Sequence, residues 1–130
     1  MDIYKDTPVV LTGGLDWKSF KKGDRVVITK EVYDALPKDN PNFHIQILFA
    51  ISLGGLWEYP MMEIQPTLEE LVKVFGVNRL QWGTDAPMVM RFYTYRQNLT
   101  HIQQVSSFLK DSEIALITGG NIAKLLGVER

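Results

Sequence analysis

The fold of this chain is decided by Arg79-Leu80-Gln81-Trp82-Gly83-Thr84-Asp85-Ala86-Pro87, a short apolar run that ends in glycine, aspartate and proline. Such a run is typical of a buried strand that stops at a turn. An amphipathic helix is predicted just upstream, because apolar residues recur at helical spacing between Pro66 and Gly76. Proline suits the first turn of a helix and glycine its C-terminal cap. A helix followed at once by a strand favours an α/β fold.

Two further strands are predicted upstream of this helix. Phe43 to Phe49 alternates before it becomes wholly apolar, and Pro8 to Thr12 is a short apolar run that stops at Gly13-Gly14. A strand, a helix and a strand in succession imply parallel pairing through a right-handed crossover. We therefore expect about three parallel strands in one sheet, packed against helices.

The chain after the last strand is predicted to be helical. An amphipathic pattern from Arg91 to Phe108 predicts one long helix. Two terminal helical segments, Glu113 to Ile117 and Asn121 to Leu126, are predicted around Gly119-Gly120. In this interpretation the two glycines break the helix and Asn121 caps its second part, so all three residues have a structural role.

Size and charge narrow the class of protein. With 130 residues and 45% apolar composition, residues 1–130 are predicted to form a single domain. The formal net charge of -1, without long runs of either sign, argues against nucleic-acid and membrane partners. No apolar stretch approaches the roughly eighteen residues of a membrane span, so a soluble, cytoplasmic protein is expected. The lack of cysteine leaves histidine, aspartate and glutamate as possible metal ligands.

The strongest chemical signal is Asp85, because this residue stands where a predicted parallel strand runs out. In barrels of parallel strands, catalysis takes place at that carboxyl end. The period of two along a strand puts Asp85 on the same face as Gln81 and Gly83, where its carboxylate could bind a metal or accept a proton. The alternative is that Asp85 caps the turn, since aspartate followed by alanine and proline is common turn chemistry.

From Leu68 to Val128 the chain resembles the last barrel strand and terminal helices of the amidohydrolase-related, decarboxylase-like metal-dependent hydrolases. Three motifs match in order and spacing: Phe75-Gly76 with Arg79-Leu80 leading into Trp82-Gly83-Thr84-Asp85-Ala86-Pro87, the helix from Tyr93 to Phe108, and Ile117-Thr118-Gly119-Gly120-Asn121-Ile122-Ala123-Lys124-Leu125-Leu126. A weaker match upstream covers Leu11-Thr12-Gly13-Gly14-Leu15 and Phe43 to Pro60. Since a complete (β/α)₈ barrel takes about 250 residues, the resemblance implies a partial TIM-type barrel, its C-terminal portion only.

The resemblance also implies a site. In that family the aspartate that closes the last strand is the metal-linked acid-base residue, and Asp85 occupies the matching position as catalytic residue and metal ligand. The implied cofactor is a divalent metal such as zinc, bound only if the remaining strands are supplied, and the implied substrate is a small molecule. Trp57 and Tyr59 belong to an apolar loop and either line the substrate pocket or are buried against the scaffold.

The chain departs from the family in its histidines. The family's first strand normally carries a His-x-His pair, whereas this chain has two histidines in total, and Gly13-Gly14 stands where a histidine is often found. His44 lies near the start of its strand, away from a barrel's active end, and is predicted to be structural or exposed. His101 is predicted to be a solvated residue of the long helix. Because a catalytic zinc site usually takes three protein ligands, the isolated chain is expected to be inactive.

Two functions and two states of association stay open. The chain is part of a truncated or split metal-dependent hydrolase or decarboxylase, or it is a non-catalytic α/β module for interaction or structure. Three parallel strands cannot close a barrel, so both edges of the sheet are expected to stay open. An exposed apolar patch with Phe49, Leu53, Leu56 and Trp57 is expected as well. Both features favour a homo-oligomer, most simply a dimer, or a complex with the remainder of the barrel. Alternatively, Leu53 to Pro60 and the terminal helices cover the open face and give a monomer.

Overall fold

In the part of the chain that the structure describes, three parallel strands form one sheet. The computed structural model describes residues 9–12, 35–47, 59–60, 62–84, 86–91 and 93–128. Strands β1 (Val9–Thr12), β2 (Phe43–Ile47) and β3 (Leu80–Trp82) pair in the order β1-β2-β3, and both pairings are parallel. The predicted α/β fold and its parallel strands are therefore confirmed in the described part of the chain.

Helix α1 (Gln65–Phe75) connects β2 to β3 and lies where the sequence predicted it. Pro66 stands in its first turn, where a missing backbone N–H costs no hydrogen bond. Gly76 ends the helix with a φ of 75°, and its N–H donates to the Val72 carbonyl at 2.8 Å. This positive φ is strained for a residue with a side chain, which explains why glycine stands there.

The hydrophobic core lies between the sheet and its helices. Strand β2 buries alternate side chains, Phe43, Ile45 and Ile47, as expected for a strand with one covered face. The α1 residues Leu68 and Leu71 are equally buried and belong to the same cluster. Replacing one of these leucines by alanine would cost about 2 to 5 kcal/mol. These α1 and β2 side chains belong to one core, which holds α1 against the sheet.

The helix after β3 is shorter than predicted. A 3₁₀ turn (Met88–Arg91) comes first, and helix α2 (Tyr95–Thr100) then continues as a π-helical segment (His101–Val105). The prediction of one helix from Arg91 to Phe108 is therefore wrong at both ends. The start is set by Thr94, because its hydroxyl accepts from the Gln97 N–H at 3.1 Å and its own N–H donates to Gln97 Oε1 at 2.8 Å.

The C-terminal segment is helical throughout, which corrects the predicted break at Gly119-Gly120. Helix α3 (Asp111–Ala115) continues through a π-helical segment (Leu116–Gly120) into helix α4 (Asn121–Leu125). Gly120 and Asn121 both have right-handed helical backbone angles, so Asn121 is not an N-cap. Its amide is engaged elsewhere, since Nδ2 donates to the Val77 carbonyl at 2.7 Å. None of the helices in the described ranges is long and apolar enough to cross a membrane.

Candidate functional site

The candidate site lies at the carboxyl ends of the three parallel strands, which meet at one edge of the sheet. Thr12 pairs with Gln46, and Ile47 pairs with Trp82, so the strands end at nearly the same level. The Gly83 N–H donates to the Ile47 carbonyl at 2.8 Å and extends the pairing of β2 and β3 beyond the strand. The chain just after β3 is therefore still hydrogen-bonded to the end of β2.

Asp85, the predicted catalytic and metal residue, lies outside the described residues, but its neighbours on both sides are described. The Ala86 N–H donates to Thr84 Oγ1 at 3.2 Å, which links the two residues that flank position 85. Asn98 Nδ2 donates to the Gly83 carbonyl at 3.4 Å, a long hydrogen bond that ties the strand end to α2. The described residues on either side of position 85 thus have hydrogen-bond partners of their own.

The Trp82 ring, at the end of β3, makes an aromatic contact with the next helix. It meets the Tyr95 ring edge to face, with ring centroids 5.5 Å apart and planes at 84°. Tyr95 is the first residue of α2, so the contact connects the end of β3 to the start of the next helix. Val89, between the two, is fully buried in the core. These contacts join the end of β3 to the start of α2.

Two glutamines occupy the face of the sheet opposite Phe43, Ile45 and Ile47. Gln46 and Gln81 are register partners on β2 and β3, and Gln46 packs over Gly83. A Cβ at position 83 would lie 2.6 Å from Gln46 Nε2, so the close approach explains the glycine. Gln81 is 2% exposed, and its Nε2 forms no hydrogen bond with the described residues. A buried amide without an acceptor is costly, so Gln81 is an unusual residue at this position among the described ones.

The structure corrects the prediction for His101, which is buried rather than solvated. It is 2% exposed, and Gln65 Nε2 lies 2.9 Å from His101 Nε2. Asn98, His101 and Ile102 point inward together, at the i, i+3, i+4 spacing of a buried helix face. The sequence carried this signal, but two of the three residues are polar and were therefore expected to face solvent. With the amide as donor, His101 Nε2 accepts, and its lone pair is not available to a metal.

His44, Tyr59 and Trp57 are the other residues that the sequence analysis singled out. His44 is the second residue of β2, half-buried, and burial together with the positive charge of Arg79 lowers the pKa of its imidazole. This agrees with the structural role predicted for it. Tyr59 is 39% exposed. Trp57 lies outside the described residues, and pocket lining by either aromatic stays a prediction.

The described residues do not make a metal site by themselves. No group of three or more histidine, aspartate or glutamate side chains that could hold a metal ion occurs among them. A zinc site usually needs three protein ligands, so Asp85 could serve only together with ligands from elsewhere.

Comparison with known proteins decides the family. A family model for amidohydrolases matches residues 32–128, which is most of the chain. The chain belongs to the amidohydrolase family. The resemblance that the sequence motifs indicated is thereby confirmed, and with it a metal-dependent hydrolase-like fold. No curated protein matches this chain.

Two solved structures are similar to this chain, both of an amidohydrolase from Burkholderia multivorans. One was crystallised with bound zinc and the other with bound HEPES. Each is 18% identical in sequence, has a TM-score of 0.59, and is matched over 71% of this chain and 34% of that chain. At this identity the likeness supports the fold alone, a TIM-barrel type. The chain spans about a third of the length of these relatives in the match.

Proposed function

We propose that this chain is part of a metal-dependent hydrolase or decarboxylase and supplies the last three strands of its barrel. The observation that carries the proposal is the family match across the end of β3, where Gly83 accepts a hydrogen bond from Asn98 and Thr84 accepts one from Ala86. Catalysis in such barrels takes place at that end of the strands. The site is therefore proposed at the carboxyl edge of the sheet.

Asp85 is the proposed catalytic residue and metal ligand. A divalent metal such as zinc, when bound, polarises water or a carbonyl group. Asp85 would then hold or move the proton at its carboxylate, as a general acid or base must. Trp57 and Tyr59 are proposed to line the pocket of a small-molecule substrate. Tyr59 supports this role by its exposure of 39%, which leaves its ring free to meet a ligand.

The isolated chain is proposed to be inactive because it lacks ligands. Its two histidines are His44, near the amino end of β2, and His101, which meets Gln65. Strands from the remainder of a barrel would supply the missing metal ligands.

A grafted barrel tests this proposal. Residues 32–128 would replace the matching third of the Burkholderia multivorans amidohydrolase, and zinc content and turnover of small carboxylic and cyclic-amide substrates would be measured. The graft is expected to bind zinc. Asp85→Asn should abolish most turnover while circular dichroism and the melting temperature stay nearly unchanged. Asp39→Asn, an exposed aspartate at the opposite end of the strands, is the matched control and should keep full activity.

Two outcomes would contradict the proposal. A folded graft that binds no zinc would speak for the non-catalytic module instead. Turnover retained by Asp85→Asn would remove this residue from the mechanism.

The chain is further proposed to associate, as a homo-oligomer or with the remainder of the barrel. In the described part, β1 and β3 form the two edges of a three-stranded sheet, and parallel sheets normally have both faces and edges covered. Exposed apolar side chains on several helices, among them Met62, Met90 and Leu126, support association. Light scattering over a dilution series into the low micromolar range should give a mass above that of one chain. A persistent single-chain mass with cooperative unfolding would contradict it.

A further inference from the structure

A cavity of about 760 Å³ lies at the end of the sheet opposite the candidate site. Its wall is built from the turn before β2, the connection from α1 to β3, and the C-terminal helix. Polar lining comes from Lys38, His44, Arg79, Asn121 and Lys124. Since the amino ends of barrel strands do not take part in catalysis, the proposed hydrolase function does not account for this cavity.

The charges in the cavity wall are mostly positive. Among the described residues that line it, Lys38, Arg79 and Lys124 are cationic and Asp39 is the one carboxylate. A concave site with low-dielectric walls and a surplus of one sign concentrates ions of the opposite sign. The surplus therefore favours an anion.

Arg79 is the fixed centre of this positive charge. Its Nε donates to the Phe75 carbonyl at 2.7 Å, and Nη1 donates to the Lys38 and Asn40 carbonyls, both at 2.8 Å. Its carbon Cζ also stands 5.2 Å from the centre of the Phe75 ring. These partners are uncharged, so in the described part no carboxylate neutralises the guanidinium. The Arg79 guanidinium is thus half-buried, fixed in position and without a counter-ion among the described residues, which favours binding of an anionic ligand.

The remaining wall supplies polar and apolar surface beside this charge. His44 Nδ1 is buried and forms no hydrogen bond with the described residues, although His44 lines the cavity. Burial and the charge of Arg79 lower the pKa of His44, so its imidazole is neutral and adds no further charge. Phe75, Leu116 and Leu125 make an apolar side. A phosphate ion would leave this apolar side unused, whereas a carboxylate on a hydrocarbon body would cover it.

We propose that this cavity binds a small organic carboxylate with an apolar body, with its carboxylate near Arg79 and Lys124. The site is separate from Asp85 and does not depend on the proposed catalytic function. Benzoate is a suitable probe, and isothermal titration with the complete chain should give one site with a dissociation constant of about 1 mM or tighter. Raising the salt concentration should weaken binding, because the attraction is in part electrostatic.

Matched ligands and variants make the test specific. Benzyl alcohol, which lacks the charge, and inorganic phosphate, which lacks the apolar body, should each bind at least about tenfold more weakly, a difference of about 1.4 kcal/mol. Lys124→Glu should weaken benzoate binding by a similar factor without unfolding the chain, since Lys124 is exposed. Lys73→Glu, an exposed lysine of α1 outside the cavity wall, should bind benzoate like the parent chain.

Three results would overturn the proposal: no saturable benzoate binding, equal binding of benzyl alcohol, or equal loss in the Lys73 and Lys124 variants. Tighter binding of phosphate than of benzoate would assign the cavity to an inorganic anion and refute the apolar part of the proposal. If Lys124→Glu lowered the melting temperature, Lys124→Gln, which removes the positive charge without adding a negative one, would replace it as the variant expected to weaken binding.

Discussion

The side-chain amide of Asn121 donates a hydrogen bond of 2.7 Å to the backbone carbonyl of Leu80. The same nitrogen lies 2.7 Å from the Val77 carbonyl, so one buried side chain holds both ends of the turn that leads into β3. These hydrogen bonds connect helix α4 to the start of β3, the strand whose carboxyl end leads to the candidate site. This contact explains why a polar residue in the glycine-glycine-asparagine motif is buried.

Removing this amide should destabilise the chain. Asn121→Ala is expected to lower the free energy of unfolding by about 1 to 3 kcal/mol, because two carbonyls lose a buried donor. Asn121→Asp has nearly the same shape but no donor, and should cost at least as much. Lys124→Ala on the same helix, an exposed position, should change stability by less than about 0.5 kcal/mol. Urea denaturation measures all three, and a stable Asn121→Asp variant would refute the donor role.

Gln65 and His101 should be energetically coupled across the core. Gln65→Leu or His101→Leu alone leaves a buried polar partner, whereas the double variant removes both, so the double loss should be smaller than the sum of the single losses. A double-mutant cycle should give a coupling energy of about 0.5 to 3 kcal/mol. The control pair, Gln65→Leu with the exposed Gln104→Leu, should be additive within about 0.5 kcal/mol. Additivity in both pairs would contradict the contact.

His44 should make stability fall in mild acid. Burial and Arg79 lower the pKa of His44 in the folded chain below its ordinary value of 6.5, so the unfolded chain binds the proton more tightly. Stability from this residue is therefore fully present above pH 6.5 and is lost as the pH falls through the lower folded-state value. His44→Gln should flatten the decline of the urea midpoint between about pH 7 and about pH 5. An unchanged slope would contradict this assignment.

Local patterns predicted the parts of the fold that local forces determine. The three strands and α1 were correctly predicted, because apolar periodicity, proline at a first turn and glycine at a cap act within a few residues. The π-helical segments were missed, since a pattern of helical spacing does not distinguish them from an α-helix. The predicted long helix also ignored the capping box of Thr94 with Gln97, although both residues were visible in the sequence.

The buried polar residues could not be predicted in the same way. His101 and Asn121 are buried because their partners, Gln65 and Val77, lie 36 and 44 residues away in the chain. A polar side chain is expected at the surface until such a partner is known. Asp85 lies outside the described residues, and its proposed role comes from its place after β3 and from the family resemblance.

Metal content of the purified chain tests the central claim most directly, that this amidohydrolase segment needs ligands from outside itself. Zinc usually takes three protein ligands, whereas His101 Nε2 meets Gln65 and His44 lies near the amino end of β2. Elemental analysis after dialysis should therefore give less than one metal ion per chain. A stoichiometric zinc ion that resists dialysis would contradict the account.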